Sequence, residues 1–177
     1  KEGKVRYIGV SNFNVSQMNR AQSIYPIASL QPPYSMLKRD VEKDILPYCN
    51  QNSIGVVVYS PMQKGLLTGK ITRERIASFP VDDHRRNDPE FNEPLIRYNL
   101  EFINQLVPIA KKHNKTLAQL AIAWVLRRPE VTSAIVGVRH PDQIAETVLA
   151  GDWTLPQEDI DTIENLLHER QQKLMNK

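Results

Sequence analysis

The sequence predicts a parallel α/β fold, in which strands and helices alternate along the chain. Four short apolar runs are typical of buried strands, and they cover residues 5–10, 27–31, 54–59 and 131–138. Segments with helical apolar spacing follow each of them. Such alternation indicates right-handed strand–helix–strand units and a parallel sheet. Four strands could form a small open doubly wound sheet or half of an eight-stranded barrel, and the number of units does not decide between them.

The first two units are short. Asn14 or Ser16 is predicted to cap a helix that extends to about residue 23. The second strand ends at two consecutive prolines, because proline cannot continue a hydrogen-bonded ladder. A helix with Asp40 as its N-cap is predicted next, shortened or bent at Pro47.

The third strand leads into the stretch that is most suggestive of a binding site. Its β-branched residues 56–58 are followed by Tyr59 and then by a loop with two glycines and two lysines. Ligands of α/β folds bind at the carboxyl ends of the strands. Glycines let a backbone approach a phosphate, and lysines add positive charge. We therefore predict a flat ring on Tyr59 and an anionic tail along residues 64–70, with an aromatic barrel plug and an ordinary turn as the alternative.

The segment after this loop has the least regular pattern in the chain. Residues 71–92 contain two prolines and the charged run 82–86. A loop longer than ~15 residues in a compact domain is usually functional or disordered. We predict that residues 61–92 form a lid over a cofactor or substrate, and a solvated insertion is the alternative.

The second half of the chain is mainly helical. Helices are predicted over residues 94–113, 117–128, 142–149 and from 156 to about 172. Pro108 should kink the first of them, and Thr116 should cap the second, which is apolar on most sides and therefore deeply buried. Acidic residues in the first turn of the last helix suit the helix dipole.

Composition limits the functional classes. The 177 residues predict one domain (residues 1–177), with 41% hydrophobic and 24% charged residues. A net charge of +3, with scattered basic residues, gives little support to nucleic-acid binding. The lone Cys49 indicates a reducing compartment, and with neither a membrane-length apolar run nor a signal peptide we predict a cytoplasmic protein.

Two smaller expectations concern the histidines and the start of the chain. The histidines lack metal-ligand spacing, so we predict no metal site and four solvated, non-catalytic imidazoles at His84, His113, His140 and His168. Lys1 is not an initiator and is followed almost at once by a predicted strand, so the chain is expected to begin in mid-domain.

A series of motifs in order resembles the aldo-keto reductase family. They are Gly9-Val10-Ser11-Asn12-Phe13, Leu30-Gln31-Pro32-Pro33-Tyr34-Ser35, Tyr59-Ser60-Pro61-Met62, Gly65-Leu66-Leu67-Thr68-Gly69-Lys70, Asp83-His84-Arg85, Thr116-Leu117-Ala118-Gln119, and Gly137-Val138-Arg139 with Gln143 and Glu146. The similarity is greatest to the branch with bacterial general reductases and potassium-channel β subunits. It implies a parallel (β/α)8 TIM barrel, of which this chain supplies strands five to eight, a half barrel, plus a C-terminal helix.

The resemblance also implies NADP(H) as cofactor, extended across the carboxyl ends of the strands. It places the nicotinamide carboxamide at Ser11, Asn12 and Gln31 and its ring on Tyr59. The pyrophosphate segment is implied to be Ser60, Pro61, Met62, Gly65, Leu67 and Lys70, closed over by Arg85. The adenosine end is implied to lie at Gly137, Arg139, Gln143 and Glu146. A guanidinium beside a helix N-terminus suits the 2′-phosphate of NADP(H), whereas Thr147 departs from the asparagine common in the family.

The family's catalytic Asp, Tyr, Lys and His have no matching motif in this sequence, so we predict no catalytic residue in this chain. Without an acid to protonate the product oxygen, hydride transfer would lose a factor of about 10²–10⁴. The isolated chain is therefore expected to be an inactive, cofactor-binding half of a carbonyl reductase. Its partners would be a small carbonyl substrate and either the missing half barrel or another copy, through open strand edges and an apolar interior face. The alternative is a non-catalytic module that binds a nicotinamide nucleotide or a partner.

Overall fold

The computed structural model describes residues 2–176 and contains one parallel sheet. Its strands are β1 (Gly9–Ser11), β2 (Ser29–Gln31), β3 (Gly55–Tyr59) and β4 (Val131–Ile135). All neighbours are parallel, and the spatial order β1-β2-β3-β4 is the order along the chain. The predicted parallel α/β fold is confirmed. Because the order never reverses, the sheet has the connectivity of a barrel wall rather than of a doubly wound sheet, which reverses at a switch point.

Seven α-helices are found among the described residues. They are α1 (Val15–Gln22), α2 (Ile45–Gln51), α3 (Arg73–Ala77), α4 (Leu95–Lys112), α5 (Leu117–Leu126), α6 (Pro141–Val148) and α7 (Gln157–Met175). Four 3-10 segments lie between them, at Asp40–Glu42, Gln63–Thr68, His84–Asn87 and Pro89–Phe91. None of the helices within residues 2–176 has the length and apolar character that a membrane span requires.

Two predicted helix caps are confirmed and one is wrong. Asn14 caps α1 and Thr116 caps α5, each in a reciprocal capping box with the glutamine three residues later. Asp40 caps no helix, because it lies in a 3-10 turn that ends before the separate helix α2. Pro47 is the third residue of α2, a position whose N–H has no partner within the helix.

All four strands are shorter than predicted, although β3 loses only its first residue. The side chains of Val5 and Tyr7 lie outside β1 and are largely exposed, and residues 136–138 leave β4 as a loop. The shortening is not confined to the edges of the sheet, since the inner strand β2 begins at Ser29 rather than at residue 27. The expected start in mid-domain cannot be placed at Lys1, because Lys1 and Lys177 lie outside the described residues.

The core lies between the sheet and the helices. Leu30, Val56 and Val58 have no exposed surface and point from the sheet towards the helices. Residues Ala118 to Val125 of α5 are all buried, as predicted from the apolar character of that helix. The opposite face of the sheet was expected to be apolar, and that expectation is wrong. It is mostly small or polar, and it carries Gly9, Ser11, Ser29, Gln31, Gly55, Val57, Tyr59, Ser133 and Ile135.

Candidate functional site

A cavity of about 540 Å³ opens at the carboxyl ends of β3 and β4. Its walls are the end of β3, the loop that follows it, helix α3, the turn at Arg85 and the beginning of α6. The lining residues are Tyr59, Ser60, Pro61, Met62, Lys64, Gly65, Thr68, Lys70, Ile71, Arg75, Arg85, Ala118, Ile135, Gly137, Val138, Arg139, Gln143, Glu146 and Thr147. Tyr59 and Arg139, which come from different strand ends, therefore face one cavity.

The loop after β3 has an unusual backbone. Ser60 and the three consecutive residues Gln63, Lys64 and Gly65 all have positive φ angles, between 47° and 92°. Each non-glycine residue in this region costs about 1–2 kcal/mol, which the surrounding structure must offset. The buried hydrogen bond between Ser35 Oγ and Gln63 Oε1, 2.9 Å long, is one of the contacts that hold the loop in this shape.

The cavity lining is strongly positive. Its basic side chains are Lys64, Lys70, Arg75, Arg85 and Arg139, and among the described lining residues Glu146 is the only acidic one. Lys64 pairs with Asp88 (Nζ to Oδ2, 2.7 Å), and Arg85 pairs with Asp83. Within residues 2–176 the other three basic side chains form no ion pair. A concave surface with this imbalance attracts anions.

Arg85 is held in place before any ligand arrives. Its guanidinium donates to both Asp83 oxygens, at 2.9 Å from Nε and 2.5 Å from Nη2, and lies 3.9 Å from the centre of the Phe79 ring. The hydrogen bonds from Arg85 hold the pKa of the Asp83 carboxyl well below its usual range, so the pair is ionised at neutral pH. A bidentate pair of this kind fixes the direction of the guanidinium as well as its position.

The beginning of α6 forms the far end of the cavity. The N–H of Arg139 donates to Gln143 Oε1 at 2.6 Å, and Thr147 Oγ1 donates to the Gln143 carbonyl oxygen at 2.7 Å. Gln119 Nε2 of α5 donates to the carbonyl oxygen of Glu146 at 2.8 Å, and this contact fixes α6 to α5. The positive end of the helix dipole and the Arg139 side chain therefore face the same space.

The ends of β1 and β2 lie beside the cavity rather than in its wall. Tyr59 Oη donates to Asn12 Oδ1 at 3.1 Å, and Ser11 Oγ donates to the Gln31 carbonyl oxygen at 3.0 Å. Asn12 has a positive φ of 58°, so the chain turns sharply as it leaves β1. These contacts bring Ser11, Asn12 and Gln31 together next to Tyr59.

The structure gathers most of the predicted site residues around one cavity. Those that line it are Tyr59, Ser60, Pro61, Met62, Gly65, Lys70, Arg85, Gly137, Arg139, Gln143 and Glu146. The side chain of Leu67 is an exception, because it is 1% exposed and packs in the core. Lys64, which belongs to the predicted anion-binding stretch 64–70, also lines the cavity, whereas sequence reasoning missed Arg75, which no motif distinguished from other surface arginines.

The predicted lid segment, residues 61–92, contains α3 and three of the 3-10 segments, and it packs against the core through a few of its side chains. Phe79 and Phe91 are buried, and their ring centres lie 6.1 Å apart. Arg86 Nη1 donates to the Phe79 carbonyl oxygen at 2.7 Å. These contacts place Arg85 at the edge of the cavity. That the segment opens and closes stays a prediction.

One histidine differs from expectation. His113 was predicted to be solvated, but it is half-buried against the Trp153 ring, and its Nε2 lies 2.5 Å from Asp159 Oδ2. It ends α4 and is not among the residues that line the cavity. Its surroundings explain the burial, because Trp153 and the buried Asp159 supply an apolar and a polar contact at once.

Comparisons with known proteins agree on one family. The family model described as "Aldo/keto reductase family" matches residues 1–168. The aldo-keto reductase YhdN of Bacillus subtilis is 39% identical over 166 residues, which are 93% of this chain and 50% of the relative. The NADH-specific methylglyoxal reductase of Escherichia coli is 33% identical over 149 residues, 84% of this chain and 44% of the relative.

A solved structure shows the same fold. The glycerol dehydrogenase AKR11B4 of Gluconobacter oxydans superposes with a TM-score of 0.88 at 36% identity, over 95% of this chain and 50% of that chain. The chain thus spans about half the length of the relatives that it matches.

Proposed function

The chain belongs to the aldo/keto reductase family, and from this premise we propose that it is the NADP(H)-binding half of an oxidoreductase that reduces carbonyl compounds by hydride transfer. Its four strands would be strands five to eight of a (β/α)8 barrel. The observation that carries the proposal is the cavity that Tyr59 and Arg139 share, whose lining has five basic side chains and one acidic one.

The residues fit an extended dinucleotide. The nicotinamide ring would lie on Tyr59, with its carboxamide at the Ser11, Asn12 and Gln31 cluster, where amide and hydroxyl groups offer both donors and acceptors. When bound, the reduced nicotinamide supplies the hydride. The protein's own contribution is to fix the ring, so that one of its faces is presented to the substrate.

The phosphates would follow the positive part of the cavity. The pyrophosphate would lie along residues 60–70, where the left-handed loop turns, with Lys64, Lys70 and Arg85 nearby. The 2′-phosphate would lie at Arg139, which is exposed and without an ion-pair partner among the described residues, beside the first turn of α6. This free guanidinium is our reason to prefer NADP(H), although one relative is named as NADH-specific.

The open edges of β1 and β4 would bind the remaining part of a barrel. Exposed apolar side chains flank both edges: Tyr7 and Ile8 immediately precede β1, Ile135 ends β4, and Ile144 and Val148 lie on α6. Such surfaces pair readily with further strands and helices. We place the acid that protonates the carbonyl oxygen in that other part, or in a second chain, and propose a cytoplasmic location.

The test is a pair of titrations followed by a turnover assay. NADPH fluorescence should change on binding to the chain, and NADH should bind more weakly. Steady-state NADPH oxidation with a panel of aldehydes should show no turnover by the chain alone. Absence of binding for both nucleotides would overturn the cofactor assignment. Robust turnover by the chain alone would overturn the proposal that the proton-donating acid lies in another part of the barrel or in a second chain.

The alternative is a non-catalytic module that binds a nicotinamide nucleotide or a partner. It is favoured by the exposed apolar side chains at the end of β4 and on α6, among them Ile135, Ile144 and Val148, which offer a surface for a partner. Nucleotide binding without turnover, both alone and in complex with a half barrel that carries the catalytic residues, would select this alternative.

A further inference from the structure

A polar cluster outside the cavity joins three elements of the fold. Glu90 lies in the 3-10 turn Pro89–Phe91, and its Oε2 accepts hydrogen bonds from Asn99 Nδ2 at 2.7 Å and Arg170 Nη2 at 3.1 Å. Arg170 Nε donates to Asn99 Oδ1 at 2.7 Å, which closes the ring of contacts. Asn99 belongs to α4 and is fully buried, and the side chain of Arg170 on α7 is 10% exposed. The turn is thereby fixed to α4 and α7.

The same turn reaches the cavity on its other side. Asp88 precedes it, and its Oδ1 accepts the N–H of Glu90 at 3.0 Å. Its Oδ2 accepts from Lys64 Nζ at 2.7 Å, and the Asp88 side chain is 11% exposed. Lys64 lines the cavity and has a left-handed backbone, so this ion pair holds its charge in one direction. A continuous series of contacts therefore leads from Arg170 through Glu90 and Asp88 to Lys64.

We propose that Arg170 is a positioning residue of the binding groove, acting from α7 through Glu90 and Asp88 on Lys64. The proposal rests on the proposed function, because the direction of the Lys64 charge matters only if the cavity takes an anionic dinucleotide. A free lysine side chain has many rotamers, and binding that must first order it is weaker. Arg170 fixes the turn that supplies the acidic partner of Lys64.

A double-mutant cycle in the full chain tests the series of contacts. The affinity for NADPH is measured by fluorescence titration for the wild type, Arg170→Met, Lys64→Met and the double variant, well below their unfolding temperatures. Arg170→Met should weaken binding about 3- to 10-fold in the wild-type background and have no further effect in the Lys64→Met background. A structural role independent of Lys64 would give the same factor in both backgrounds. Lys173→Met is the matched control, because it removes a different α7-to-α4 ion pair, that with Glu101, and should leave the affinity unchanged.

The outcomes separate this proposal from the one on which it rests. A wild-type chain that does not bind NADPH overturns both. A wild type that binds, together with an Arg170→Met variant of equal affinity or with additive effects in the cycle, overturns the positioning role alone. If Arg170→Met does not fold, Glu90→Gln replaces it in the same cycle, because it keeps the shape of the side chain and removes the charge that holds Arg170.

Discussion

Two arginines of the helical layer that covers the sheet, here called the outer layer, differ in their contacts from three of the five basic side chains that line the cavity. Arg39 and Arg127 in the outer layer each pair with the carboxylate of Glu164, at 2.6 and 3.0 Å. In the cavity Lys70, Arg75 and Arg139 have no ion-pair partner among the described residues, although the chain has nearly as many acidic residues as basic ones, with a net charge of +3.

The difference separates two uses of a charge. A partly buried cation that stabilises a fold needs its counter-charge within the same fold, because an unpaired charge is costly to remove from water. A cation that binds a ligand keeps its hydrogen-bond donors available until an anion arrives. The three cavity cations without an ion-pair partner among the described residues therefore point to an anion site there, independently of the shape of the cavity.

The largest predicted effect is on the outer layer. Arg127 is 11% exposed, donates to Glu164 at 3.0 Å, Tyr34 Oη at 3.1 Å and the Trp124 carbonyl oxygen, and lies over the Trp124 ring at 3.6 Å. Arg127→Ala should lower the free energy of unfolding by about 3 kcal/mol, because it leaves buried hydrogen-bond acceptors without a donor. Urea denaturation measures this loss.

The neighbouring Arg128 is the control for that experiment. It is 31% exposed, and within residues 2–176 its one ion-pair partner is Glu130, two residues away, so Arg128→Ala should cost less than about 1 kcal/mol. Equal losses for the two variants would show that partner number and burial do not distinguish the outer-layer cations. A large effect of Arg127→Ala on nucleotide affinity would break the separation of the two regions.

The second effect concerns the cavity. Arg139→Ala should weaken NADPH binding about 10- to 100-fold, as expected for a lost charge-assisted contact of about 1.5–3 kcal/mol. NADH binding should stay within about twofold, and the free energy of unfolding within about 0.5 kcal/mol, because Arg139 is an exposed side chain. Titration calorimetry with both nucleotides measures the difference.

Lys111→Ala is the matched control for Arg139, since it removes one positive charge from an exposed position on α4. It should change neither affinity. Equal loss of NADPH and NADH affinity in Arg139→Ala would contradict a 2′-phosphate contact and favour a site for another phosphate.

How much of the fold and of the cavity the sequence predicts depends on how far apart along the chain the interacting residues lie. Local signals succeeded, because the caps Asn14 and Thr116 bond within four residues and the buried run before Tyr59 needs no partner to be recognised. The pairing of Arg127 with Glu164, or of Arg170 with Glu90, joins residues 37 and 80 positions apart, and no local pattern specifies it. Nothing in the sequence marks Arg75 as a cavity residue, since only the fold of residues 61–92 brings it there.

A third prediction compares two glycines of the same loop. Both have positive φ, 92° at Gly65 and 72° at Gly69, so alanine at either position should cost about 1 kcal/mol of stability. A Cβ at Gly69 would also lie 2.6 Å from Leu117 Cδ1, whereas a Cβ at Gly65 meets nothing within 4 Å and extends into the open space of the cavity. Gly69→Ala should therefore lose more stability, and Gly65→Ala more NADPH affinity. The reverse order, measured by urea denaturation and titration, would remove Gly65 from the binding surface.

The smallest effect is a pH dependence at the buried Cys49 of α2, whose thiol has no charged partner in the part of the chain that the structure describes. Burial raises the pKa of the Cys49 thiol to about 11, and the side chain has no exposed surface. As the pH rises above the ordinary thiol value of about 8.5–9, the unfolded chain loses the proton while the folded chain keeps it, so the free energy of unfolding falls. Between pH 8 and 9.5 the wild type should lose about 0.5–1 kcal/mol more than Cys49→Ala, a variant that cannot ionise there. Urea denaturation at these pH values would contradict this if the unfolding free energies of the wild type and Cys49→Ala fell equally with pH. Rapid reaction of the native thiol with a disulfide reagent at pH 8 would likewise show that Cys49 is accessible, and that the outer layer is less tightly closed than its paired cations indicate.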